Sequence, residues 1–330
     1  MKEENLVGID VSSKEAVAKI NRSGKSRVLA TFSNDIDGHK KLIKWAIKGG
    51  KTARICLEAT GVYSFELAMA LHDHPRTSVM VINPRALRNF AQALMQRAKT
   101  DPIDAEVALE YLERMPFQTW HPPCNEVLEL QAISRRIWQL KKEMNQTSNR
   151  KHACLKRSSV CRTVINDLDV HIRHLKRRMK QLESDALKVV QNLPDLESKF
   201  QHLISVTGIA TASALRILAE ISALPEDMQP EQWVAHAGLD PRPFESGETI
   251  HKHRYISKAG NKYLRAALFF PALVAIKKEM HIKAFYSHLI AKGKKPMQAV
   301  VAVMRKLLRT IWGMLKYDQD FDGNKFYKLA

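Results

Sequence analysis

Four acidic residues in the first third of the chain have the chemistry of metal ligands. Asp10 and Glu58 each lie at the end of a short apolar run, and Asp101 and Asp104 stand three residues apart. On a helix that three-residue spacing places two side chains on one face. Carboxylates converging from several elements can hold two divalent cations against a phosphodiester, and oxygen ligands without histidine or cysteine favour Mg²⁺ (or Mn²⁺).

Each acid also has a simpler interpretation. Asp10 could cap an exposed turn, although a carboxylate at the end of a buried strand is costly unless it has a partner. Pro102 suits the first helical position, which predicts Asp101 as the N-cap of a helix running to about Arg114. Asp104 would then nearly complete a capping box. The four acids together favour a metal site, because structural caps need not occur as such a set.

A second group of candidate residues surrounds a serine in the last third. Ser246 precedes a glycine within the loop-like run 239–250, and a serine in that setting could attack a phosphate. Ser-Gly pairs are also ordinary turns, so the pair alone decides nothing. The neighbouring cations that could meet phosphate oxygens are Arg242, Lys252, Arg254 and Lys258.

The elements predicted to position the acids alternate between strand and helix. Asp10 ends the first strand of an antiparallel meander, which is an RNase H-like start, and Glu58 follows a later strand. The alternation predicts an α/β layer. The predicted strands are 6–11, 14–20, 27–32, 51–57 and 78–82, and the predicted helices are 39–48, 63–72 and 85–99.

Beyond the α/β layer the pattern becomes helical and repeats every three or four residues. Such a repeat predicts two long helices of a coiled coil, with 149–162 as the tip. Basic side chains on the outer faces could follow a nucleic-acid backbone, although a charged face is often simply solvated. The repeating positions are Leu130, Ile133, Ile137, Leu140 and Met144, then Ile165, Leu168, Ile172, Leu175, Met179, Leu182, Ala186 and Val189. The outer bases include Arg135, Arg136, Lys176 and Arg177.

These patterns predict a fold class of α/β plus all-α, in three domains. We expect an RNase H-like domain with the four acids over 1–120, a coiled-coil stalk over 121–195, and a mainly helical domain with the serine over 196–330. Residues 203–221 resemble a helix-hairpin-helix, whose turn offers backbone N–H groups to a phosphate. Plain packing of two helices is the alternative for that segment.

Composition favours a polyanionic partner. The 330 residues carry 53 Lys and Arg against 34 Asp and Glu, a formal charge of +19, and nucleic acid is the first candidate for such a surface. No apolar run approaches the length of about 20 residues that spans a membrane. The N-terminus lacks a signal-peptide pattern, which predicts a cytoplasmic protein. Four scattered cysteines predict neither a disulfide framework nor a structural zinc site.

Two sets of short motifs follow one another along the chain, the first holding the four acids and the second spanning Ser246. With them the chain resembles the DEDD insertion-sequence transposases, the bridge-RNA-guided recombinases related to the Piv-type DNA invertases. The motifs are Val7-Gly8-Ile9-Asp10-Val11, Leu57-Glu58-Ala59-Thr60-Gly61 and Lys99-Thr100-Asp101-Pro102-Ile103-Asp104-Ala105, then Ala237-Gly238-Leu239-Asp240-Pro241, Ser246-Gly247 and Ile256-Ser257-Lys258-Ala259-Gly260-Asn261 with Leu264-Arg265.

The resemblance implies roles for individual residues. It implies that Asp10, Glu58, Asp101 and Asp104 bind the metal and that Ser246 is a nucleophile that becomes covalently linked to DNA. Ser257 is the rival serine, better suited to contacting phosphate. The resemblance also implies DNA partners (element ends and target), a structured guide RNA, and a homo-oligomer, either a dimer or a tetramer.

The expected function is therefore that of a DNA transposase or recombinase. A metal-dependent RuvC-like nuclease without a covalent intermediate is one alternative, and a non-enzymatic nucleic-acid-binding protein is another, which leaves the acids without a use. A phosphotransferase of the acetate- and sugar-kinase type would share the motif Gly8-Ile9-Asp10. That class needs a later glycine-rich adenosine motif, and the sequence has none.

Overall fold

A computed structural model describes residues 4–22, 27–49, 51–59, 61–96, 100–157, 159–242, 245–246, 250–251 and 255–329. The chain divides into two compact units, Met1–Pro122 and Pro123–Ala330. Within the described residues, no helix is both long enough and apolar enough to cross a membrane.

The first unit is built on a five-stranded mixed sheet in the order β3-β2-β1-β4-β5. The first three strands pair antiparallel, and β4 and β5 continue the sheet in parallel from β1. The strands are β1 (Asn5–Val11), β2 (Glu15–Arg22), β3 (Val28–Ser33), β4 (Ala53–Glu58) and β5 (Thr77–Ile82), and the helices are α1 (Ile36–Ala46), α2 (Val62–His72), α3 (Pro84–Ala93) and α4 (Asp101–Arg114).

Alternating side chains of the central strands supply two separate cores, one on each face of the sheet. Val7, Ile9 and Leu57 pack in the core that also contains residues of α1 and α2. Cys56 and Met80 face the other way, into the core that contains residues of α3 and α4. Because successive residues of a strand point to opposite faces, the even-numbered positions of β1 and β4 belong to the α4 side.

Gly8 allows α4 to lie directly against β1. A Cβ atom at Gly8 would stand 2.2 Å from the backbone nitrogen of Leu109 and 2.3 Å from the carbonyl oxygen of Ala105. Both contacts are with backbone, which cannot move aside without displacing the helix. The glycine in the first motif is therefore required by this close approach, and it sets the position of α4 on the sheet.

The second unit is mainly helical. Its two longest helices, α5 and α6, pack against one another, and Leu140, Met144 and Leu175 form a small core between them. The remaining helices bury a separate, larger core. The helices are α5 (Asn125–Leu155), α6 (Arg162–Gln191), α7 (Pro194–Ser205), α8 (Thr211–Ile221), α9 (Pro230–His236), α10 (Lys262–Lys278), α11 (Met280–Ala291), α12 (Pro296–Lys316) and α13 (Gly323–Phe326).

Between α9 and α10 the chain forms two short antiparallel ladders. β6 (Pro241–Arg242) pairs with β9 (Tyr255–Ile256), and β7 (Glu245–Ser246) pairs with β8 (Ile250–His251). The sequence predicted a loop here, because two-residue strands are too short to show an alternating pattern. We call residues 241–256 the serine hairpin.

The mixed architecture and the predicted strands of the first unit are confirmed, with shifts of a few residues at their ends. The two long helices are also confirmed, but α5 continues to Leu155, so their connection is shorter than the predicted tip. The coiled-coil geometry and the domain division at 195/196 remain predictions. The N-cap prediction for α4 is wrong: Thr100 is the extended cap residue and Asp101 is already helical.

The predicted helix-hairpin-helix segment, 203–221, contains the last turn of α7 and the whole of α8. Gly208 lies between them in the left-handed region, with φ of 109°. A Cβ atom there would stand 2.8 Å from the backbone nitrogen of Ala275 in α10. The glycine is therefore needed for packing against α10, which supports plain helix packing as its structural reason.

Candidate functional site

Asp10 and Glu58 lie side by side at the carboxyl ends of the neighbouring strands β1 and β4. In the parallel pair of β1 and β4, Ile9 stands opposite Leu57, and the two acids are the next residue of each strand. Both acids occupy even-numbered positions, so they project to the face that carries α4. Both are half-buried. The sheet thus delivers two carboxylates to one point, from strands that are neighbours in space but distant in sequence.

The first turn of α4 brings two more carboxylates towards the same edge. Asp101 is exposed and Asp104 is half-buried at the start of the helix, which packs on β1 at Gly8. Thr100 makes no side-chain capping hydrogen bond. Because Asp101 is not the N-cap, Asp101 and Asp104 do not form the predicted capping box.

The four acids act on one another electrostatically. The pKa of Asp10 is raised from its ordinary value of 3.8 to about 6, first by burial and then by the negative charges of Asp104, Asp101 and Glu58 in that order. A carboxylate surrounded by other carboxylates favours either a proton or a cation. The charges of Asp104, Asp101 and Glu58 thus act on Asp10, and the assignment of these four acids to one site stays a prediction.

The fit of this cluster to a metal ion can be tested on its donors. Four carboxylates form the all-oxygen donor set that hard divalent cations prefer, and their mutual repulsion favours a positive charge between them. Among the described residues, however, no three His, Cys, Asp or Glu side chains are arranged closely enough to hold one ion. The donor chemistry therefore fits a divalent cation, while the side chains do not form a closed ligand shell.

Further along α4 the acids have cationic partners. Arg27 bonds Glu106, Glu110 and Glu113 from successive turns of the helix, and Lys19 of β2 also pairs with Glu106. Burial tends to raise the pKa of Glu110, but the hydrogen bonds and positive charges of Arg27 and Arg114 together outweigh burial and lower it. This part of the helix is thereby attached to the sheet.

In the second unit, Ser246 is the last residue of β7 and stands opposite Ile250 of β8. Residues 247–249, which connect the two strands in the sequence, lie outside the described residues. Ser246 therefore belongs to the ladder of β7 and β8, which lies between β6 and β9 in the sequence. We call the ladder of β6 and β9, with the residues that flank it, the base of the serine hairpin.

The base of the serine hairpin is fastened by short contacts. Ser257 donates a hydrogen bond of 2.5 Å from its hydroxyl to Asp240 Oδ1, and its backbone N–H donates to the Asp240 carbonyl at 2.9 Å. The N–H of Lys258 donates to the carbonyl of Gly238. Ser257, the rival serine, thus joins the segment that enters the serine hairpin to the segment that leaves it.

Behind this base lies a buried polar network. Glu220 of α8 accepts two 3.0 Å hydrogen bonds from Arg135 and one of 2.7 Å from the side-chain amide of Asn261. Asn261 also lies 3.3 Å from the Nε2 atom of His236. The guanidinium of Arg135 stacks 4.9 Å from the ring centre of Tyr263.

The basic residues predicted to contact nucleic acid fall into three groups. Lys252 and Arg254 lie outside the described residues, and Arg242 is part of β6. Arg136, Lys176 and Arg177 are exposed on the long helices, whereas Arg135 is bound to Glu220. Lys258 is exposed and lines an open concavity of about 270 Å³ together with Lys262 and Arg265. Nucleic-acid binding by these residues remains a prediction.

Sequence reasoning assigned no role to Glu220, and it listed Asn261 only as part of a motif. The signal was present, because Glu220 is the one charged residue in the apolar stretch 217–221, Ile-Leu-Ala-Glu-Ile. A lone acid on the buried part of a helix requires a polar partner. The sequence could not indicate which residue that partner is.

Comparison with known proteins gives a consistent result along the chain. Residues 7–159 match the IS110-type DEDD family model, described as a transposase, and residues 200–287 match the model described as the transposase IS116/IS110/IS902 family. The pilin gene-inverting proteins of Moraxella bovis and Moraxella lacunata are each 28% identical over 297 residues, covering 88% of this chain and 90% of theirs. An uncharacterised 43.6 kDa protein of insertion element IS110 from Streptomyces coelicolor is 24% identical over 143 residues, covering 43% of this chain and 34% of its own.

Proposed function

The chain belongs to the IS110 family of DEDD-type transposases and recombinases and is a DNA-recombining enzyme, and from that premise we propose which of its residues cut and rejoin DNA. The proposal assigns Asp10, Glu58, Asp101 and Asp104 to a divalent metal site and Ser246 to the nucleophile. The observation that carries it is the convergence of four acids at one sheet edge, where three carboxylate charges act on Asp10.

The metal proposed is Mg²⁺, with Mn²⁺ as a substitute, held by the four carboxylates. When bound, such a cation polarises the oxygens of a phosphodiester. The protein's contribution is to collect carboxylates that repel one another, using the rigid pairing of β1 with β4 and the close approach of α4 at Gly8. Rigid elements suit this role because ligand positions must be held within fractions of an ångström.

We also propose that the first unit is an RNase H/RuvC-like domain. Its sheet order of β3-β2-β1-β4-β5, with an antiparallel meander followed by two parallel strands, supports this assignment. The acids at the carboxyl end of β1 and β4 support it as well.

Ser246 is proposed to attack the phosphorus of a DNA strand. Its Oγ forms a new bond to phosphorus, the bond to one strand oxygen breaks, and that oxygen leaves with a proton as a free hydroxyl end. The Oγ–H proton passes to a base, which a serine needs to become an effective nucleophile. Attack of another strand's hydroxyl on the serine phosphodiester reverses the step and joins the strands.

The nucleic acids are proposed to meet the basic surfaces. Lys258, with Lys262 and Arg265 in the adjoining concavity, supplies cations beside the serine hairpin, and the proposal includes Arg242, Lys252 and Arg254. On the long helices, Arg136, Lys176 and Arg177 are exposed, as a backbone-binding face requires. A structured guide RNA that selects the DNA sites, and assembly into a dimer or tetramer, complete the proposal.

The decisive experiment traps the reaction. The full chain is incubated with Mg²⁺, DNA carrying the element ends and a target, and RNA transcribed from the DNA flanking the gene. Denaturant is then added and the protein is tested for covalently attached DNA. Wild type should give an adduct, Ser246→Ala should give none while still binding DNA and RNA, and the matched control Ser257→Ala should retain it.

Two outcomes would favour another mechanism. An adduct that persists in Ser246→Ala, or complete strand exchange without an adduct, would support a metal-dependent nuclease mechanism without a covalent intermediate. A reaction that proceeds equally well without RNA would contradict the proposed guide RNA, but it would leave the proposed role of Ser246 in place.

A further inference from the structure

Glu220 is a carboxylate in an apolar environment that the proposed chemistry does not use. Only 1% of the residue is exposed, and its neighbours Leu218, Ala219 and Ile221 belong to the large core of the second unit. A buried charge is costly even when it is paired, and apolar residues of similar size often stabilise a fold at least as well. Stability alone therefore does not account for an acid at this position.

Glu220 has three partners, which come from two other parts of the unit. Arg135 of α5 binds both carboxylate oxygens, and Gln131, one helical turn earlier, lies 3.5 Å from Oε2. The third partner is Asn261, the N-cap of α10. One carboxylate thus links α8 and α5 to the residue at which the serine hairpin returns to the helical core.

Asn261 uses every polar atom of its side chain at that junction. Its amide group donates to Glu220 and faces the Nε2 atom of His236, while its oxygen accepts from the N–H groups of Tyr263 and Leu264. Its backbone N–H donates to the carbonyl of His236 at 2.6 Å. His236 is the last residue of α9, so Asn261 joins the outgoing and returning ends of the serine hairpin.

The junction has no space in which to adjust. At Gly260, with φ of 131°, a Cβ atom would stand 2.2 Å from the carbonyl oxygen of His236. At Gly238, with φ of 63°, it would stand 2.9 Å from the carbonyl carbon of Lys258. Because the segments 236–240 and 257–261 are in backbone contact here, a small rotation of Asn261 would displace the residues that enter β6 and leave β9.

We propose that Glu220 is a positioning residue that, through Asn261, fixes the direction in which the serine hairpin presents its nucleophile. The inference rests on the proposed role of Ser246. Arg135 orients the Glu220 carboxylate through two hydrogen bonds, and both residues act through Asn261 without touching the substrate.

Hydrogen exchange tests the positioning directly and without activity. In Glu220→Gln, one carboxylate oxygen becomes an amide that faces the donors of Arg135 and Asn261. We expect the backbone N–H groups of Ser257, Lys258 and Asn261 to exchange about tenfold faster, since they bond across the junction. The matched control is Glu231→Gln, which removes another carboxylate–arginine pair, with Arg309, in the same unit.

The same variants are then compared for adduct yield at saturating DNA. Glu220→Gln should lower the rate of adduct formation about tenfold or more with little change in DNA affinity, because positioning affects the chemical step and not uniform binding. Arg135→Lys keeps a charge but loses the two-pronged geometry, and it should show a smaller version of both effects. This variant also preserves the test should Glu220→Gln fail to fold.

The outcomes separate this inference from the proposal on which it rests. Junction amides that exchange at the wild-type rate in both folded variants would overturn the role of Glu220. If those amides exchange faster but wild type itself forms no adduct, the positioning of the serine hairpin stands and the nucleophilic role of Ser246 fails. Equal acceleration of exchange across the whole second unit would mean that Glu220 is only structural, which contradicts the inference.

Discussion

The two ends of α4 show opposite ways of handling negative charge. At its first turn, the charges of Asp104 and Asp101 add to the effect of burial in raising the pKa of Asp10. Further along, the glutamates are bound by cations, and Arg27 lowers the pKa of Glu110. The acids at the first turn repel the Asp10 carboxylate, and a bound cation would reduce that repulsion. The ion pairs further along attach the helix to the sheet. The negative charges around Asp10 indicate a cation-binding role for that end of the helix, whereas the ion pairs with Arg27 indicate a structural role for the other.

The largest effect that tests this comparison should come from Asp10→Asn. We expect strand exchange to fall by at least about a thousandfold, because a ligand to the catalytic metal is lost. The unfolding midpoint without metal should stay the same or rise, since the substitution relieves repulsion among the four acids. Activity and chemical denaturation measured on the same preparation check both statements. A loss of stability without metal would show that Asp10 has a structural partner instead.

Gly8→Ala should affect both ends of α4 at once. The added Cβ would meet the backbone of Leu109 and Ala105, and overpacking of this kind costs about 1–3 kcal/mol. Because the helix must move away from β1, the carboxylates of its first turn should also shift relative to Asp10. We therefore expect a lower free energy of unfolding together with a strong loss of activity. Ala18→Gly, a buried position on the neighbouring strand β2, provides a control that loses stability without displacing α4.

Glu110→Gln should lower stability and leave activity unchanged, which is the opposite of the effect expected for Asp10→Asn. The substitution weakens the ion pairs with Arg27 and Arg114. Exposed or partly exposed pairs contribute about 1 kcal/mol or less, so the free energy of unfolding should fall by that amount. Strand exchange by the folded protein should remain at the wild-type level. Loss of activity with intact stability would mean that the distinction between the two ends of α4 is wrong.

The sequence predicted the parts of this picture that depend on local pattern. Short apolar runs indicated β1 and β4, and the spacing of Asp101 and Asp104 predicted that the two acids share one face of a helix. The exact start of α4 was missed because Thr100 and Asp101 are both acceptable caps, and only the backbone conformation distinguishes them. The bond between Arg135 and Glu220 joins residues 85 positions apart, so a run of basic residues on a helix could not reveal it.

A smaller pH effect extends the comparison to the second unit. There His202 lies between two carboxylates, bonding Asp320 through Nδ1 and Asp318 through Nε2, each at 2.8 Å. Burial tends to lower the pKa of His202, but the two hydrogen-bonded aspartates outweigh burial and raise it. A raised folded-state pKa means that the stabilisation is fully present below the unfolded value of about 6.5 and is lost as pH rises through the folded value.

The free energy of unfolding of wild type minus that of His202→Gln should therefore be larger at pH 6 than at pH 9. Because Asp318 and Asp320 are exposed to water, the difference should stay below about 1 kcal/mol. Comparing the two proteins at each pH cancels groups such as His236, whose pKa burial shifts downward. In an Asp318→Asn/Asp320→Asn background the pH dependence of this difference should disappear. Its persistence there would assign the effect to another group and would leave the matched charges around His202 without a stabilising role.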